Sequence, residues 1–96
     1  MTKYGFSTTV SGTVAEVVER VTLLLKGEEF GVLTRIDVDE VLRRKLDVQR
    51  PPYVILGACN PRLANEALGR DPDVGLLLPC NVVVRMPPRP RPGATR

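Results

Sequence analysis

The valines and leucines between Thr13 and Gly27 constrain the fold more than any other feature of the chain. Val14, Val17, Val18, Val21, Leu24 and Leu25 recur at spacings of three and four, which puts them on one stripe of an amphipathic helix. Thr13 followed by Glu16 reads as a capping box at its start, and Gly27 as its stop. A helix that is apolar along one stripe has to lay that stripe on another element. The flanking sequence offers strands, so a helix over 13–26 packed on a sheet is predicted.

Tyr4–Val10 alternates aromatic and β-branched residues and predicts a first strand, closed by a turn at Ser11-Gly12. Phe30–Ile36 predicts a second strand, with Phe30, Val32, Thr34 and Ile36 at alternate positions. Asp37, with Glu40 three residues on, is expected to cap a second helix whose buried face is Val38, Val41, Leu42 and Leu46. Arg43, Arg44 and Lys45 suit the negative end of that helix dipole and read as a solvated helix end. Arg50-Pro51-Pro52 breaks the chain. Tyr53–Ala58 is then almost continuously apolar, as a central strand is. Asn60-Pro61 opens a third helix as N-cap and first residue, with Leu63, Ala64, Ala67 and Leu68 on its apolar side. Val74–Leu78 fits a helix or a strand, and Asn81–Arg85 predicts a last strand. The expected fold class is α+β: a small sheet of about four strands on about three helices, in the order strand-helix-strand-helix-strand-helix-strand. Residues 1–85 form a single expected domain. Residues 86–96, rich in Pro and Arg, are expected to be an extended or disordered tail.

Composition narrows the functions open to such a domain. The formal net charge is +3, yet Arg85, Arg89, Arg91 and Arg96 fall in the last dozen residues, and without them acids outnumber bases. With four aromatic residues in the whole chain there is little to stack on bases. Nucleic acid is therefore a disfavoured partner. No histidine is present, which removes the usual general base near neutral pH and the commonest metal ligand. Two cysteines alone make a poor zinc site, so neither a metal nor a cofactor is expected. No apolar stretch approaches the roughly 20 residues of a membrane span, and no secretory signal is read at Met1–Phe6. The expected setting is cytoplasmic, with no membrane partner.

The one chemical candidate is a repeated pair. Cys59-Asn60 follows Gly57-Ala58, and Cys80-Asn81 follows Leu78-Pro79. Cys59 ends a predicted strand just before a helix, where a thiolate is favoured. If the strands bearing the two pairs run antiparallel, the pairs converge; if parallel, they lie at opposite ends of the sheet. Three readings stay open. Both cysteines are small core residues, or Cys59 is a nucleophile with Cys80 as its resolving partner, or Asn60 and Asn81 join the cysteines in lining a ligand pocket. The first candidate function is a binding or assembly module, with a small molecule as a candidate ligand. The alternative is a thiol-dependent redox or sulfur-handling protein. Enzyme activity is left undecided.

Three separated blocks carry a family resemblance. They are Phe30-Gly31-Val32-Leu33-Thr34-Arg35-Ile36-Asp37-Val38, Tyr53-Val54-Ile55-Leu56-Gly57-Ala58-Cys59-Asn60-Pro61, and Asp71-Pro72-Asp73-Val74-Gly75-Leu76-Leu77-Leu78-Pro79-Cys80-Asn81-Val82-Val83-Val84. In that order they resemble the family called domain of unknown function 302, over about residues 1–85. The resemblance implies a small α+β domain with a curved sheet packed on helices, a tendency to form dimers, and no established activity. It also implies a further strand and a packed helix beyond the last strand. The Pro/Arg-rich stretch from Met86 stands in their place, which reads as a shortened or frame-shifted member. A homo-oligomer, most simply a dimer, is the expected assembly.

Overall fold

Thr13 starts the first helix in the way its spacing to Glu16 dictates. In the computed structural model, which describes residues 5–87, α1 spans Val14–Gly27. Glu16 N donates to Thr13 Oγ1 at 3.2 Å, and Thr13 N donates to Glu16 Oε1 at 3.1 Å. These reciprocal bonds satisfy two backbone donors that the first turn leaves without helical partners. The bond from the Thr13 backbone holds the Glu16 carboxyl below its ordinary range, helped by the Thr13 hydroxyl. The carboxylate thus supports the cap above the unfolded-state pKa and loses that support as pH falls through the lowered folded-state value. The turn before it is as expected: Gly12 takes φ 120°, a conformation open to glycine, and the Arg20 guanidinium donates to Ser11 O.

The helix is followed by β1 (Gly31–Asp37), α2 (Val38–Leu46), β2 (Tyr53–Cys59), α3 (Pro61–Arg70), a 3-10 helix (Pro72–Leu77) and β3 (Cys80–Arg85). The sheet is antiparallel in the order β1-β2-β3. As expected of a near-continuous apolar run, β2 is central. Val54, Leu56 and Ala58 on one side of its pleat are buried. They face α1, where Val14 and Val18 close the core with Val84 of β3, and Val17, Val21, Val32 and Val82 pack around it.

Besides the expected buried face of α2, which holds no fully buried residue and leaves Leu46 66% exposed, four features depart from the sequence reading. Among the described residues the sheet has three strands and not four: Gly5–Val10 forms none, and Phe6 is 92% exposed. Alternation gives a segment a strand's side-chain pattern, but a strand exists only where its backbone joins a ladder, and this segment joins neither edge of the β1-β2-β3 sheet. Tyr4 lies outside the described residues, as does most of the expected tail, residues 88–96. Second, Asp37 is the N-cap residue of α2 but makes no side-chain cap bond. Its carboxylate pairs instead with Arg35 at 3.1 Å. Third, Leu24 leaves the buried stripe and is 71% exposed, because the first half of α1 carries the sheet contact. The helix also runs through Gly27, and the left-handed residue that follows is Glu29 at φ 65°.

The fourth departure has the largest consequence. β1 is bulged between Val32 and Thr34: Val32 opposes Ala58 and Thr34 opposes Gly57, so Leu33 is an extra residue. A bulge of this kind breaks the two-residue period. Val32 faces α1, whereas Thr34 and Ile36 face the other side of the sheet, opposite Gly57 and Ile55. The simple alternation of Phe30, Val32, Thr34 and Ile36 does not survive it.

The burial pattern makes a direct prediction. Leu56 is 1% exposed, and Leu56→Ala is expected to cost about 2–5 kcal/mol of stability, as large-to-small core changes do. Leu24→Ala, on the same apolar pattern but exposed, should stay within about 0.5 kcal/mol. Urea unfolding of both variants checks the contrast, and equal losses would contradict the packing described.

Candidate functional site

The antiparallel pairing of β2 and β3 brings the two Cys-Asn pairs to one end of the sheet. Ala58 opposes Cys80 and Gly57 opposes Asn81. The pairs therefore converge along the chain, but the pleat separates the thiols. Side chains directly opposite one another share a face, and successive residues alternate. Cys80 shares the face of Ala58, toward α1. Cys59, one residue on, points to the opposite face with Gly57 and Asn81. Both cysteines are free; Cys59 is half-buried and Cys80 exposed.

The asparagines divide in the same way. Asn60 is committed to α3: its Oδ1 accepts from Leu63 N at 3.1 Å, the N-cap role its position before Pro61 predicts. Asn81 is exposed on the face that Cys59 shares. Between them Gly57 is buried and makes a close approach possible. A Cβ there would lie 2.9 Å from Pro79 Cγ and would collide with the Thr34 hydroxyl. Pro79 follows a cis peptide bond from Leu78. The corner is thus built from Cys59, Asn81 and Thr34 around Gly57. Thr34 was missed in the sequence because only the bulge at Leu33 turns it to this side.

This corner offers hydroxyl, amide and thiol groups but no paired acid and base. Among the described residues no group of three or more His, Cys, Asp or Glu is placed to hold a metal ion. The acidic residues near the start of α2 are used structurally: Asp39 Oδ1 accepts from Tyr53 N at 3.0 Å, and Glu40 pairs with Arg43 at 2.7 Å.

Exposure orders the two thiols. With a neutral alkylating reagent on the folded protein, Cys80 is expected to react first and Cys59 several times more slowly, read by mass spectrometry of the peptides. Faster modification of Cys59 at neutral pH would identify an activated thiolate at the start of α3 and restore the nucleophile reading.

Comparison with known proteins agrees with this architecture. No curated protein matches the chain. Among solved structures, the crystal structure of an uncharacterized conserved protein DUF302 from Bacillus stearothermophilus is similar, with a TM-score of 0.76 and 41% sequence identity. The match covers 81% of this chain and 61% of that one, so the chain spans about three fifths of the neighbour's length. The family model described as domain of unknown function DUF302 matches residues 6–88. The strand, helix and corner residues thus lie within one matched stretch, and the chain belongs to the DUF302 family.

Proposed function

We propose that the chain is a homo-oligomeric binding or assembly module, most simply a two-fold dimer, that joins through the open face of its sheet. One observation carries this reading. α1 lies against all three strands on one face, while the opposite face presents a cross-strand apolar row of Ile36, Ile55 and Val83. Ile36 is 47% and Val83 44% exposed. The bulge at Leu33 creates this row, because without it Ile36 would oppose Val54 and face α1. Leu33 itself, 67% exposed, adds apolar surface on the same strand.

A contiguous apolar row on a small sheet favours a partner of the same shape. A second copy meets that need in a self-complementary way under two-fold symmetry, each row covering the other. Completing the burial of each half-exposed side chain stabilises the pair by about 1 kcal/mol. The outer edges of β1 and β3, which pair with no strand among the described residues, give the contact further backbone groups to satisfy.

Thiol chemistry has less support. A nucleophile and a resolving cysteine must meet, and the register puts Cys59 and Cys80 on opposite faces. No helix is long and apolar enough to cross a membrane among the described residues. Free thiols suit a reducing compartment, and the proposed setting is cytoplasmic.

Sedimentation velocity at micromolar concentration tests the reading. The chain is expected to sediment as a dimer, and the double variant Ile36→Lys, Val83→Lys as a monomer with unchanged circular dichroism. A monomeric parent chain would overturn oligomerisation. A dimer that tolerates both lysines would overturn the sheet face as its seat.

A further inference from the structure

We propose that the groove at the α2 end of the sheet is a binding site for a small amphiphilic carboxylate, an apolar body with one anionic head. It lies at the far end of β2 and β3 from the Cys-Asn corner and does not depend on the assembly reading. The cavity is about 450 Å³, within the span of small-molecule sites. Its walls are Val38 and Leu42 of α2, Pro51 and Pro52 of the loop entering β2, and Met86 and Pro87 after β3. Apolar surface on three sides provides for a hydrocarbon or aryl body.

The polar groups select the head. Arg50, Arg85 and Tyr53 line the same groove, with Asp39 as the one carboxylate. Asp39 is already engaged, accepting the Tyr53 backbone N–H at 3.0 Å. Arg85 donates to Met86 O at 3.0 Å through Nη1, which leaves its other N–H groups to serve a ligand. No carboxylate among the described residues forms an ion pair with Arg50 or Arg85. Two guanidinium groups against one occupied carboxylate make the groove complementary to an anion. A bare phosphate would satisfy the arginines but leave the apolar walls wet. A cationic or neutral amphiphile would satisfy the walls but not the arginines.

Octanoate is the probe, titrated into the full chain and followed by the Met86 methyl resonance and by calorimetry. Saturable binding that shifts Met86 is expected, with octylammonium, acetate and inorganic phosphate each at least about tenfold weaker. Arg50→Gln with Arg85→Gln should weaken octanoate by about tenfold or more, the loss of at least one charge-assisted hydrogen bond. Arg50→Lys with Arg85→Lys, which keeps the charge should the first pair disturb folding, should retain most of the affinity. Octylammonium binding as well as octanoate, undiminished octanoate affinity in the Gln pair, or no saturation at millimolar octanoate would each overturn the site.

Discussion

Everything in this domain hangs on the contact between the first half of α1 and the central strand. Val14 and Val18 lie on Val54, Leu56 and Val84, and no other cluster of buried apolar side chains forms the core among the described residues. In so small a chain, burial of this kind supplies most of the favourable free energy. It also fixes geometry. β2 is bonded on both edges, so once its Val54-Leu56-Ala58 face is pressed against α1, the faces of β1 and β3 follow from their registers.

The phase of β2 therefore decides the chemistry at both ends of the sheet. At the α3 end it sends Cys59 one way and Cys80 the other. An antiparallel pair joins strand ends that are distant in sequence, but only a matching phase joins their side chains. At the α2 end the same alternation pairs Tyr53 with Arg85 on the face opposite α1, where both border the groove. The Leu33 bulge is the one place where the phase is reset, and it moves Thr34 and Ile36 out of the core layer. Thr34 comes to the Gly57 corner and Ile36 to the exposed apolar row.

Local signals in the sequence were legible where a few neighbouring residues determine the outcome. Thr13 with Glu16 marks the start of α1, Asn60-Pro61 the start of α3, and the run Tyr53–Ala58 the central strand. What escaped was non-local. Residues 5–10 have the pattern of a strand but join no sheet, and pairing is not encoded in the segment itself. Asp37 has the right spacing to cap α2, yet the nearby Arg35 claims its carboxylate. The bulge has no sequence mark, because Leu33 fits a regular strand as well as a bulged one. The two Cys-Asn pairs converge because β2 and β3 run antiparallel, but whether the thiols face each other depends on a register that the sequence leaves open. The groove was invisible for a related reason: its arginines, 35 positions apart in sequence, meet only through the β2–β3 pairing.

The open sheet face and the groove are not independent surfaces. Ile55 and Val83 form one cross-strand pair, and Tyr53 and Arg85 form the next pair along the same face. A second copy seated on the apolar row would thus end at the margin of the groove. A ligand whose head is held by Arg85 would touch the same boundary. If binding is stronger in the dimer than in the monomer, dimerisation is stronger by the same factor in the liganded chain, since the coupling is reciprocal. The size of that coupling depends on whether the partner copy shields Arg85 from water. Shielding strengthens a charge-assisted contact to an anion already in place, and it raises the cost of burying the guanidinium when the groove is empty. The same arginine would then oppose assembly of the free chain and favour assembly of the liganded one.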